Sequence, residues 1–131
     1  MELLVPPDVE PVVVEILSPS GEDAWVATRY VDNAAGSVRV SATGGARPSD
    51  VVKAEPTVLV ECWGTDETIA WALAARSHAR LRAAAGSVVR GLPVYRVEAT
   101  LPNNNPDVNR PALTRYQFVA TVHTRAVPME V

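Results

Sequence analysis

The chain has 131 residues, 47% apolar and 21% charged, with a net charge of −3. These values fit one globular domain with a continuous core, and they exclude a disordered chain and a strongly cationic nucleic-acid binder. A single cysteine, Cys62, excludes an internal disulfide and a cysteine-based zinc site within one chain.

No run of about 18 apolar residues appears, and the acidic, proline-interrupted start MELLVPPDVEP is unlike a basic signal peptide, so the expectation is a cytosolic protein without membrane contact. Asp8 then stands where a helix N-cap belongs, and Glu10 where the helix dipole favours an acid. Val9, Val12, Val13, Ile16 and Leu17 recur at helical spacing, so 8–18 reads as a first helix; the β-branched run 12-VVV-14 keeps a strand in competition. Pro19, Gly21, Glu22 and Asp23 form a turn, and 24-AWVATRYV-31 reads as a strand. In 37-SVRVSA-42, Val38, Val40 and Ala42 alternate with Ser37, Arg39 and Ser41.

The stretch 41-SATGGARPSDVVKAE-55 holds Gly44, Gly45 and Arg47 but lacks both phosphate-loop spacings. A strand follows it rather than a helix N-terminus, so it reads as the tip of a long β-hairpin. Next, 57-TVLVECW-63 has apolar groups on both faces, as a central strand covered on both sides by a helix or another subunit would. The clearest helix is 66–86: Thr65 or Asp66 caps it, Gly86 closes it, and Ile69, Leu73, Ser77 and Leu81 make a narrow stripe with Ala70, Ala74 and Ala84 beside them. Arg76, Arg80 and Arg82 lie off the stripe, as does Trp71, for which cover is expected.

The last third opens with a strand at 92-LPVYRVEATL-101. A linker, 102-PNNNPDVNRPA-112, follows, whose Pro and Asn content opposes regular structure. A long strand over 113–127 then sets Tyr116, Phe118, Ala120 and Val122 against Arg115, Gln117, Thr121, His123 and Arg125. The elements predict one α+β domain over 1–131: a mainly antiparallel or mixed sheet of four to five strands, a long β-hairpin, and two helices packed on the sheet.

Chemistry is sparse. His78 and His123 are isolated in sequence, and a small enzyme or ligand-binding module would need them to converge. Cys62 reads as a small buried hydrophobe. Glu22–Asp23 and Asp66–Glu67 read as turn and helix-start residues, and no basic patch interleaves with aromatics. Neither a cofactor nor a metal is expected.

Four phrases carry a resemblance: 6-PPDVEPVVVEIL-17, 38-VRVSATGG-45, 60-VECWGTDETIAWALAARSHARL-81 and 106-PDVNRPALTRYQFVATVHTR-125. In these and in element order the chain resembles tail terminator proteins, also called minor tail or tail completion proteins, of long-tailed bacteriophages with actinobacterial hosts. The resemblance implies a non-enzymatic virion protein, assembled in the bacterial host cytoplasm. About six copies would close into a ring on the head-proximal end of the tail tube. There the ring would stop tube growth and meet the head–tail connector. Viral DNA would pass its lumen without specific binding, and a head-completion adaptor or stopper of the neck is the nearest alternative. The resemblance further implies assembly contacts at the hairpin tip, with Gly44, Gly45, Arg47 and Asp50, and at the later loop, with Asp107 and Arg110.

Overall fold

A computed structural model describes residues 2–19, 25–45 and 52–130. In chain order these form β1 (Glu2–Val5), α1 (Val9–Leu17), β2 (Val26–Ala27), β3 (Ser37–Ala42), β4 (Lys53–Ala54), β5 (Thr57–Gly64) and α2 (Glu67–Ala83). There follow β6 (Ser87–Val89), β7 (Leu92–Val94), β8 (Arg96–Ala99), β9 (Asn103–Asn104), β10 (Thr114–Arg125) and β11 (Val127–Glu130).

Strand alternation decides how the main sheet is filled. β5 lies between β3 and β10, antiparallel to both, with Val60 opposite Val40 on one side and Phe118 on the other. Because side chains alternate with period two, that register puts Val38, Val40, Val58, Val60, Cys62, Phe118, Ala120 and Val122 on one face, and all are buried. α1 covers this face with Val9, Val12, Val13, Ile16 and Leu17, and α2 with Ala70, Leu73, Ala74, Ser77 and Leu81. Each fully buried Val or Leu contributes about 1.5–3 kcal/mol, so the sheet and helices stabilise one another and neither has a reason to form alone. The result is the α+β layout expected, with two helices on a mixed sheet.

Local chemistry sets the helix ends. Asp66 Oδ1 accepts from the Ile69 backbone N–H at 2.9 Å, capping α2. Asp8 occupies the corresponding position before α1, yet its side chain makes no cap bond. At the other end of α1, Arg80 donates to the Leu17 carbonyl at 2.5 Å, placing a cation where the helix dipole is negative. The outer edge of β3 is occupied too. Val38 N–H donates to the Trp25 carbonyl at 3.0 Å, and Ala42 N–H donates to Glu10 Oε2 at 2.6 Å, so a carboxylate takes the place of a neighbouring strand.

Several elements depart from the expectation. Of 24–31, only Val26–Ala27 is a strand, running parallel to β3; Tyr30 leaves the sheet plane to cover Trp63, and that packing outweighs its strand propensity. Segment 92–101 is two strands: β7 turns back on β6, while β8 pairs with β10. The β6–β7 hairpin turns on Arg90 and Gly91, both at positive φ (51° and 76°), the left-handed pair that a two-residue hairpin demands. Within 102–112 a short β9 pairs with Tyr116 and Gln117. β1 pairs with β11, so the two ends of the chain form a ribbon of their own. β4 continues β5's register along β10 past Glu55 and Pro56, which interrupt the ladder because proline has no N–H to donate. Trp71 is 47% exposed, its ring edge-on to Tyr116 at 5.5 Å.

Two substitutions test these local arguments. Gly36 has φ +116°, and a Cβ there would lie 2.2 Å from Leu73 Cδ1 and 2.9 Å from the Trp63 carbonyl oxygen. Gly36→Ala is therefore expected to cost about 2–4 kcal/mol in urea unfolding, and a loss under about 0.5 kcal/mol would show that the loop over 31–36 re-routes freely. Arg90→Asn is expected to raise stability by roughly 0.5–1 kcal/mol, since Asn tolerates the left-handed region better than Arg; an unchanged or lower urea midpoint would count against strain at this turn.

Candidate functional site

The face of the sheet opposite the helices has no helical cover, and there the charged residues of β3, β5 and β10 fall into register. Ser37 pairs with Trp63, Arg39 with Glu61, and Trp63 with Arg115. Trp63 is 1% exposed and Glu61 3%. Two loops supply the cover: Tyr30 stands edge-on to the indole at 5.1 Å, and the Arg110 guanidinium lies 3.7 Å from the Tyr30 ring and 5.3 Å from that of Trp63. Within the chain, the second cover over Glu61 and Trp63 of β5 is thus loop rather than a helix.

A chain of charge-assisted bonds runs beneath. Glu61 Oε1 accepts from Arg39 Nε at 2.9 Å and Nη2 at 2.7 Å, and Glu61 Oε2 accepts from Arg115 Nη1 at 3.0 Å. Both oxygens of a buried carboxylate are thereby satisfied, the condition for burying a charge without a large penalty. Arg115 reaches on to the carbonyls of Asn105, at 2.8 Å, and Pro106, at 3.3 Å. Asp107 Oδ2 accepts from the Trp63 indole at 3.0 Å and from Arg110 Nη1 at 3.1 Å, while its Oδ1 accepts from the Asn109 backbone at 3.0 Å. The Asn109 N–H first, then the indole and the Arg110 guanidinium, hold the Asp107 carboxyl below its ordinary range.

This assembly is a clamp: three guanidinium groups, of Arg39, Arg110 and Arg115, hold two buried carboxylates, of Glu61 and Asp107, and with them the loop that carries Asp107 and Arg110. Cys62 faces the helices instead, where burial pushes its thiol up to about 12 and keeps it protonated. Among the described residues no three His, Cys, Asp or Glu side chains come together as metal ligands, and no helix is long and apolar enough to cross a membrane.

Of the contacts expected from the sequence, Gly44 and Gly45 are exposed beyond the end of β3, and Arg47 and Asp50 lie outside the described residues. Asp107 is buried in the clamp, with Arg110 half-buried beside it. The two histidines do not meet. His78 packs edge-on to Phe118 at 5.3 Å on the helix face, whereas His123, on the other face, has Nδ1 3.5 Å from Glu55 Oε1 and Nε2 3.6 Å from Glu98 Oε1. Sequence reasoning missed Tyr30, Arg39, Glu61, Trp63 and Arg115 as a unit. The available signal was a lone Glu within the apolar run 57-TVLVECW-63, whose charge requires cationic neighbours wherever the strand is buried.

No family model matches the sequence, and a search of curated proteins finds no match. Among solved structures, the fold is similar to that of a chain in the virion of a native gene transfer agent particle. The TM-score is 0.64 at 13% identity, over 89% of this chain and 94% of that one. This protein has the fold of a virion chain. The likeness spans nearly the whole of both chains rather than a shared fragment.

Two outcomes follow for the clamp. Glu61→Gln leaves Arg39 without its counter-charge and Arg115 with only Asp107, 4.0 Å away, and is expected to cost about 2–3 kcal/mol in chemical denaturation, less than a fully dry pair because Arg39 is a third exposed; a cost near zero would show that the arginines simply turn to solvent. Because Asp107's carboxyl is held low when folded, the stability it contributes is present above the ordinary carboxylate range and lost as pH falls below about 4. Asp107→Asn should therefore flatten the fall in urea midpoint between about pH 5 and pH 2.5, and an unchanged acid limb would remove Asp107 from that role.

Proposed function

We propose that this protein is a structural subunit of a phage-type virion, and specifically a tail terminator. About six copies close into a ring on the head-proximal end of the tail tube, halt tube growth and present a surface to the head–tail connector. The observation that carries the reading is the fold shared with a virion chain over nearly the full length of both chains. Tail-terminator-like phrases in the sequence narrow it. The separation of His78 and His123 onto opposite faces of the sheet favours an assembly role over catalysis.

Surface chemistry fits a subunit covered by neighbours. Val88, Leu101 and Val108, 68%, 81% and 89% exposed, are the apolar residues assigned to contacts with neighbouring copies. A ring with an acidic balance would let DNA pass, since like charges give no counterion-release gain. The hairpin tip around Gly44, Gly45, Arg47 and Asp50 is assigned to contacts with the tube or an adjacent copy. Asp107 shapes the turn that presents Val108, and Arg110 holds that turn against Tyr30.

The test is electron microscopy of purified particles carrying a label on the C-terminus of this chain. Label in a single ring lying directly on the last ring of the tail tube is the expected result. Label one layer nearer the head would make the protein an adaptor or stopper, and unlabelled particles would overturn the virion assignment.

A further inference from the structure

The ends of α1 differ in charge. At its N-terminal end, Pro6, Pro7, Asp8, Ala54, Glu55 and Pro56 belong to the lining of an open groove of ≈ 300 Å³ to which the described residues contribute two carboxylates and no cation. Asp8 makes no cap bond to α1, and among the described residues the ion-pair partner of Glu55 is the His123 imidazole, at 3.5 Å, with Lys53 and Arg96 lining the adjoining hollow. At the C-terminal end of α1 lie the β6–β7 hairpin and the last turn of α2, with Arg82 and Arg90 exposed and Val88 68% exposed between them; among the described residues, Glu15 is the one acid lining the hollow there. Arg90 stands out, because it occupies the left-handed region at φ 51° and no described residue pairs with its guanidinium. A long cationic side chain is thus kept at a position that favours Asn or Gly, without an ion-pair partner among the described residues.

From this we infer that the two ends dock onto each other between successive copies, the Arg90–Val88 hairpin tip of one copy entering the Asp8–Glu55 groove of the next. Charge complementarity selects a second copy as occupant: an apolar, acid-rimmed groove meets an apolar, arginine-tipped hairpin, and the same chain carries both. The patches cannot meet within one copy, since α1's nine residues hold them about 13 Å apart. A junction between two different patches is heterologous, so it closes into a ring or runs on as a filament. The inference deepens the proposed ring by naming its joint.

The experiment introduces Pro6→Cys and Val88→Cys together in the full chain and reads disulfide-linked multimers after an added oxidant, both in solution and on purified particles. Cys62 is buried with its thiol held protonated, so it stays out of the reaction. A ladder of linked multimers is expected from the double-cysteine chain, and none beyond dimer from either cysteine alone. Adding Arg90→Glu or Glu55→Arg should reduce the ladder about tenfold. Combining both reversals in one chain should restore it, because every joint then carries a swapped but complementary pair. Arg90→Asn separates association from folding: the chain should melt at higher temperature yet form less ladder. A ladder indifferent to these charges, or absent both in solution and on particles, overturns the joint. If labelled rings appear on particles while Arg90→Glu assembles normally, the joint falls and the ring stands; if the ladder responds to charge while no particle carries the chain, the joint stands and the tail role falls.

Discussion

The register of β10 on β5 is the constraint on which the rest of the molecule depends. β10 is twelve residues long and pairs along one edge with β5 and then β4, and along the other with β8 and β9. A slip of one residue would carry Phe118, Ala120 and Val122 to the open face and drive Arg115, Gln117 and Thr121 into the helices. It would at once empty the core and leave Glu61 without Arg115. Pairing Phe118 with Val60 and Arg115 with Trp63 is one geometric event, so the apolar core and the ionic clamp are two readouts of the same ladder.

The two faces solve the cover problem differently. On the helix side, apolar burial is non-directional and tolerant, and α1 and α2 need only present a stripe of suitable width. On the other side, bonds of defined length hold the loops, running from Arg39 through Glu61 and Arg115 to Asp107 and Arg110. Directional bonds fix loop position in a way that apolar contact does not. The edge of β3 is treated likewise: Glu10 holds the Ala42 N–H, so the edge offers no ready template for indiscriminate strand addition.

Legibility in the sequence followed the range of the interactions. α2 was readable because its cap, stripe and closing glycine lie within twenty-odd consecutive residues, and the propensities and tertiary contacts agree there. The helix face of the sheet was readable from alternation alone, and Cys62 fell into place with it. The strand expected over 24–31 shrank to two residues because Tyr30 has a partner, Trp63, that lies thirty-three positions away. The split of 92–101 turned on an Arg–Gly pair that lacks the usual Asn, so the hairpin signal was masked by the one residue whose strain marks it. The β1–β11 ribbon joins the first residues to the last, and nothing local announces it.

The sequence by itself therefore determined the class of fold, the two helices and the buried faces of the long strands, since these rest on periodicity and composition. Only the tertiary structure decided that Asp107 and Arg110 belong to a clamp with Trp63, and that His78 and His123 lie on opposite faces. Each of those facts requires residues distant in the chain to be brought within bond length or held on opposite sides of one sheet. That spacing is set by strand register and helix packing, which no single segment contains.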